Sequence, residues 1–341
     1  MNSMERIQAT LAGKSLDRRA IAPMLSLYGA RLTNCPLEEY YTDPVAYARG
    51  QSAVRETFQP DVLFSPFAFA SIGAAFGGDL HFFADQAPNI RRPAIQSVEE
   101  WDTLVLPDPD THTRLLFFRE AIRRMTAEHQ GQIPVAAVLP TPIDLPALVM
   151  GMEIWLEIVL FDIGGAQRIM DKAVPFFVRL ANSLLSDGAT FIASTCAFAS
   201  PAIVTRDIAT AFAQPVLEKA LAQLKGPMVL HHGGAQILRH LDLLAGLPST
   251  VAFALDHKEN LDQARQVVGP NTVLFGGPCG PNLGRIASAQ VESECRAILE
   301  GRRQDAHFVL FTSGADIPLD TSPENIHAIR NTAESFGRVD G

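Results

Sequence analysis

What this 341-residue chain has little of narrows its class before any motif is read. Its four cysteines (Cys35, Cys196, Cys279 and Cys295) are widely spaced with no Cys-x-x-Cys pair, so neither a disulfide scaffold nor a zinc ribbon is encoded and a reducing compartment fits better. No Lys/Arg cluster offsets the net charge of −9, which argues against a nucleic-acid surface. Long uninterrupted apolar runs are missing too. The longest, residues 145–165, is broken by Glu153, Glu157 and Asp162, and Glu153 and Glu157 share one helical face. It reads as an amphipathic helix and not as a membrane span. No secretory signal is visible at the N-terminus, where residues 1–13 are expected to form a short helix with Ile7 and Leu11 four positions apart. The expectation is a soluble, cytoplasmic protein.

What is present is a set of short apolar runs that end in reactive residues. Residues 228–230 lead into His231-His232-Gly233-Gly234, and residues 250–255 into Asp256-His257. Residues 272–275 lead into Gly276-Gly277-Pro278-Cys279-Gly280, and residues 308–311 into Thr312-Ser313-Gly314-Ala315-Asp316. Four more strand candidates lie at residues 21–27, 62–69, 134–139 and 190–193, with helical patterns at 44–57, 114–129, 145–160, 166–185, 208–224, 235–245, 260–268 and 288–300. Apolar runs of this length, rich in Val, Leu and Phe, are those of parallel strands buried on both faces. Eight βα alternations without a linker predict an α/β chain forming a single (β/α)8 TIM-type barrel over residues 1–341, with its site at the C-terminal strand ends. A doubly wound dinucleotide fold would want a glycine-rich loop after the first strand, and Tyr28-Gly29-Ala30-Arg31 is not one. The Gly/Ala-rich segment 71–95 is a candidate hairpin insertion over the mouth, and the Pro/Asp connector 101–112 predicts a helix starting at Thr111 or Thr113.

In their order, several landmarks resemble the uroporphyrinogen decarboxylase superfamily, above all its methylcobamide:thiol (coenzyme M) methyltransferase branch. They are Met4-Glu5-Arg6, Leu11-Ala12-Gly13, Asp17-Arg18, Gly188-Ala189-Thr190, the HHGG of residues 231–234, Gly276-Gly277, Gly314-Ala315-Asp316-Ile317-Pro318 and Thr321-Ser322-Pro323-Glu324-Asn325. The resemblance runs nearly end to end and implies the same single barrel. It also implies a methylcobamide carried on a partner corrinoid protein, and a zinc ion held by a His-x-Cys pair and a late Cys. Here only His231 stands at those zinc positions; the two cysteines are replaced by Gly233 and Ala315. A related demethylating group uses two glutamates and a histidine, and the counterparts are Thr195, Thr210 and His231. True decarboxylases carry Arg-Gln-Ala-Gly-Arg after the first strand and an Asp after the second. This chain has Leu27-Tyr28-Gly29-Ala30-Arg31 and Phe64-Ser65-Pro66, too few cations for a porphyrinogen with eight carboxylates.

These comparisons leave a set of candidate residues. His231 and His232, adjacent at a strand end, are expected to point in opposite directions, one to the barrel axis and one to the surrounding helices. His231, Asp256 and Asp316 are the catalytic candidates for proton transfer. Tyr28 and Arg31 are candidates for holding a substrate carboxylate or phosphate, and Gly276 and Gly277 for letting a ligand approach the backbone. Thiolate and imidazole are zinc's preferred ligands, so His231, Cys279, Cys196 and His257 are the candidates for a relocated, non-standard metal site. The leading expectation is a corrinoid-linked methyltransferase-like enzyme. The alternatives are a metal-free decarboxylase or lyase acting on a small carboxylic acid, and a non-catalytic barrel that binds a corrinoid or tetrapyrrole. Family members are often dimers, which makes a homodimer a candidate assembly.

Overall fold

The apolar runs do form strands. In chain order they are β1 (Ile21–Ala22), β2 (Leu63–Phe64), β3 (Asp79–His81), β4 (Asn89–Arg92), β5 (Val135–Pro140), β6 (Phe191–Thr195), β7 (Met228–His231), β8 (Thr250–Ala254), β9 (Val273–Gly276) and β10 (Phe308–Phe311). The computed structural model describes residues 1–336. All but β3 and β4 lie in one parallel sheet ordered β1-β10-β9-β8-β7-β6-β5-β2, and helices alternate with the strands. This is the TIM-type α/β barrel predicted from the alternation.

The seam between β1 and β2 has no ladder. Side chains and one backbone bond close it instead. At the N-terminal end, Asp61 N donates to Ile21 O (2.8 Å) and Ile21 N donates to Asp61 Oδ2 (2.8 Å). At the C-terminal end, Tyr47 Oη donates to Phe64 O (2.8 Å) and meets Ser26 Oγ (2.8 Å), which accepts from Phe67 N (2.9 Å). Both strands are shorter than the runs 21–27 and 62–69. Pro23 and Pro66 follow them closely and have no N–H to give a ladder.

Strand parity sorts the interior. Ala22, Phe64, Ala136, Val138, Phe191, Ala193, Val229, Ala252, Ala254, Val273, Phe275, Val309 and Phe311 face one another inside the barrel, while the alternate residues join the larger core beneath the helices. Ile7 of α1 (Ser3–Leu11) belongs to the inner cluster, so the first helix covers the N-terminal end. That helix is started by a capping box in which Asn2 Oδ1 accepts from Glu5 N (2.8 Å) and Asn2 N donates to Glu5 Oε2 (2.9 Å).

Three local expectations need correction or refinement. The helix expected over 145–160 is two helices, Leu145–Met150 and Met152–Phe161, parted at Gly151 with φ of 94°. The helix expected over 235–245 shrinks to short turns at Leu238–His240 and Leu241–Leu244, because the buried Glu259 carboxylate takes the Ile237 and Leu238 N–H groups (2.6 and 2.5 Å). Within 71–95, a helix (Phe69–Ala75) precedes the antiparallel β3–β4 hairpin, whose tip residues Asp85, Gln86 and Ala87 line a cleft at the C-terminal mouth. The connector leads into the helix Thr113–His129, as expected.

Candidate active site

His231 is the last residue of β7 and shares the inward parity of Val229. It borders a small chamber inside the barrel with Met24, Phe64, Phe67, Thr195 and Phe311, and among the described residues no charged one lines that chamber. The chamber has about 20 Å³ of free space, room for a single water molecule. Gly233 N donates to His231 Nδ1 (3.0 Å), so a neutral ring carries its proton on Nε2. That Nε2 is buried and has no partner. Burial, with His232 beside it, holds the imidazole well below its usual pKa, so it is neutral at physiological pH.

His232 does not turn toward the helices. Its ring packs on that of His231, with centroids 4.2 Å apart and 31° between planes. Strand geometry ends at His231, and Gly233 and Gly234 then take positive φ (67° and 87°), a turn open to glycine that undoes the expected alternation. Gly234 N lies 3.1 Å from His232 Nδ1, and Gly314 N, on the loop after β10, lies 3.2 Å from Nε2. Burial lowers the His232 pKa to about 4.

A second tier lies beside the pair. Asp256 Oδ2 is 3.3 Å from His257 Nδ1 and 4.0 Å from His232 Nδ1. Ser313 Oγ accepts from His257 N (3.0 Å) and sits 3.3 Å from His257 Nδ1. Asp256 and Ser313 therefore meet the same ring nitrogen. A relay to a nucleophilic serine needs opposite nitrogens, so this trio is not one. Cys279 is partly exposed and bridges to Ser313 through the backbone; burial pushes its thiol up, which leaves it protonated.

Asp316 borders a cleft of about 630 Å³ with Leu27, Phe67, Arg285 and the hairpin tip. Its Oδ1 accepts from Leu27 N (3.1 Å), while Oδ2 is buried without a partner. Burial raises its carboxyl to about 7, a value suited to proton exchange near neutrality. Phe67 is common to this cleft and the inner chamber.

Other candidates are occupied elsewhere. Tyr28 is fully buried and donates to Thr321 O (2.6 Å); Arg31 lies over its ring and donates to the Leu319 and Thr321 carbonyls. Together they bracket the loop after β10. The glycines at 276 and 277 accommodate protein and not a ligand: a Cβ on Gly277 would lie 1.6 Å from Phe311 O, and one on Gly276 would lie 2.8 Å from Leu261 Cδ2. Cys196 is fully buried, its Sγ is 3.3 Å from His231 O, and burial raises its thiol far above the usual range.

Zinc does not fit this arrangement. A zinc-bound imidazole hands its other N–H to an acceptor. At His231 the other nitrogen faces the Gly233 N–H, a donor, and both nitrogens of His232 face backbone donors. Among the described residues, no three His, Cys, Asp or Glu side chains gather as a metal-ligand group, so Cys196, His231, His257 and Cys279 do not converge.

Two residues that sequence reading passed over hold the mouth together. Asp144 accepts from Ala197 N and Phe198 N (both 3.0 Å), and Glu259 accepts from Asp256 N (2.9 Å) as well as from the two N–H groups after β7. Each lies just past a strand end, a few residues after β5 or β8, which was the available signal.

A parallel barrel with buried proton-carrying groups at its C-terminal mouth defines a TIM-barrel enzyme architecture. The uroporphyrinogen decarboxylase (URO-D) family pattern matches residues 2–336, and the chain belongs to that family, whose members are enzymes, decarboxylases or methyltransferases. It is 21% identical over 335 residues to the methylcobamide:CoM methyltransferase MtaA of Methanosarcina barkeri, covering 95% of each chain. It is 24% identical over 279 residues to a uroporphyrinogen decarboxylase of Enterobacter sp. (strain 638), covering 78% of this chain and 76% of that one. Among solved structures, a methyltransferase from Methanosarcina mazei superposes with a TM-score of 0.87 at 18% identity, covering 98% and 99% of the two chains. These likenesses bear out the resemblance read from the landmarks. No helix among the described residues is long and apolar enough to cross a membrane.

Proposed function

We propose that this protein transfers a methyl group between a methylcobamide carried on a partner corrinoid protein and a small molecule bound at the barrel mouth. The observation that carries this reading is the mouth's poverty in cations above a neutral His231. Arg31 is spent on carbonyls; among the described residues no charged one lines the inner chamber, and Arg285 is the sole cation lining the cleft. A porphyrinogen's carboxylates would find little to bind. The nearly full-length likeness to a methylcobamide methyltransferase supports the same choice.

Methylcobamide, when docked, supplies a cobalt-bound methyl group. Within the chain, His231 Nε2–H holds the heteroatom of the small molecule by a hydrogen bond. Phe64, Phe67 and Phe311 exclude water from that contact, which strengthens it. Asp316, in the adjoining cleft, is the group able to take up or return a proton, at its free Oδ2.

The test is methyl transfer followed by the visible spectrum of methylcobalamin in the presence of candidate acceptors. His231→Ala is expected to lower the rate about 100-fold while the fold is retained. Unchanged turnover in that variant, or no spectral change with any thiol, amine or phenol acceptor, would count against the reading.

A second reading rests on Asp316. A carboxyl near pKa 7 in the same cleft as Arg285 offers a proton donor and a carboxylate anchor for a small acid, as a decarboxylase needs. Carbon dioxide release that depends on both Asp316 and Arg285, without any methylcobalamin requirement, would favour it.

A further inference from the structure

The inner chamber states the chemistry of what enters it. Its walls are Met24, Phe64, Phe67, Val138, Phe191 and Phe311 with their apolar neighbours, and Thr195 and His231 are the residues of polar type among them. A carboxylate, sulfonate, phosphate or ammonium placed there would lose its hydration with no opposite charge to meet, a cost far beyond that of a neutral group. Yet the chamber is not featureless. His231 Nε2 is buried with no partner, and the Gly233 N–H on Nδ1 keeps the proton on Nε2. A buried donor left unmatched costs about as much as a lost hydrogen bond, so the chamber favours an acceptor at that point. Thr195 supplies no competing charge.

We propose that the chamber takes the uncharged, hydrogen-bond-accepting end of a largely apolar substrate, a carbonyl or ether oxygen set against His231 Nε2–H, and rejects anionic groups. This deepens the proposed function, since it assumes that the substrate reaches the barrel interior from the mouth. The cleft above it, with Arg285 and Asp316, receives the rest of the molecule, and Phe67 stands between the two spaces. The free space of about 20 Å³ limits the part that enters to a methyl-sized or carbonyl-sized terminus. Imidazole acts here as a fixed donor to substrate, the reverse of its role as a metal's electron-pair donor.

The experiment is histidine side-chain nitrogen NMR on the full-length protein, with the His231 signals assigned through His231→Phe. Three probes of matched shape are titrated: 2-butanone, 2-methyl-1-butene and propionate. The unliganded protein is expected to show His231 as the Nε2–H tautomer. The ketone is expected to shift Nε2 and to half-saturate at a concentration about tenfold lower than the alkene or propionate. In His231→Phe, the ketone's advantage over the alkene, read by ligand-observed NMR, is expected to vanish. If that variant fails to fold, the tautomer and probe order in the unsubstituted protein still decide. An Nδ1–H tautomer overturns the proposal, and so does propionate binding as tightly as the ketone. Equal binding of ketone and alkene, saturable binding by none of the three, or a stoichiometric zinc-induced change at His231 would each do the same. Methyl transfer from methylcobalamin is measured separately. Its absence alongside the expected probe order removes the methyltransferase reading and leaves the chamber's preference standing.

Discussion

At the N-terminal end of the barrel, Asp61 is fully buried and wholly engaged: Arg6 Nη1 (2.5 Å), Arg18 Nη1 (2.6 Å) and Ile21 N (2.8 Å) all donate to it. Arg6 also grips Asp17 through Nε and Nη2 (2.9 and 2.8 Å), which holds the Asp17 carboxyl far below the usual carboxylate range. At the C-terminal end Asp144 and Glu259 are engaged in the same way, but two other buried groups are not. There His231 Nε2 and Asp316 Oδ2 are buried with no partner, and neither group is held in its charged form. The Asp61 cluster is spent on the protein itself and fastens the barrel. His231 and Asp316 are withheld, and a withheld donor or proton is available to a substrate.

Substitutions at each end test that contrast. The largest effect is expected from Asp61→Asn, which leaves the Arg6 and Arg18 guanidiniums without their buried carboxylate; a loss of about 3–5 kcal/mol in chemical denaturation is expected, with turnover per folded molecule unchanged. Equal loss of turnover and stability would break the division between the two ends.

Gly277→Ala probes whether the mouth is loose or only unsaturated. Its Cβ would fall on Phe311 O, and a destabilisation of about 3 kcal/mol is expected in the same denaturation measurement. A neutral result would mean that β9 and β10 can part freely.

Asp316→Asn should reveal the mouth's cost as a function of pH. Burial raises the folded carboxyl to about 7 against the ordinary 3.8 of an Asp in the unfolded chain, so the native state binds more protons between those values. Asp316 therefore penalises the fold increasingly as pH rises through that window, and the penalty is constant above it. Relative to the parent, the Asn variant should gain stability from pH 4 to pH 7, on the order of 2–4 kcal/mol, and no more beyond. A parallel pair of stability curves would show that Asp316 is not held protonated.

The smallest effect is expected at the covering helix. Asn2→Ala removes the capping box of α1 and should cost about 1 kcal/mol, seen as a small shift in the denaturation midpoint. A much larger loss would make α1 the main fastening of the N-terminal end in place of Asp61.

Much of the barrel was legible because its signal is local. Runs such as Val135–Pro140 and Phe308–Phe311 are apolar on both faces, and that alone separates buried parallel strands from surface ones. The inward placement of His231 follows from two-residue parity with Val229. Expectations failed where a local pattern met a distant partner. The 235–245 segment has helical periodicity, yet Glu259, more than twenty residues on, claims its first N–H groups. Tyr28 and Arg31 were legible as strand-end residues, but not their commitment to the carbonyls of residues 319 and 321.

By itself the sequence determined the class of barrel and the set of His, Asp and Cys residues that follow its strands. Those facts depend on residue identity and short-range period, which every stretch of chain carries within itself. Only the tertiary structure decided what the histidines can do. The proton on His231 is placed by a glycine turn, His232 is turned onto its neighbour and toward Gly314, and Asp316 is stripped of water by β1 and its following loop. Tautomer, burial and pKa arise from groups brought together across as many as 289 positions of chain, and no local pattern records which of them will meet.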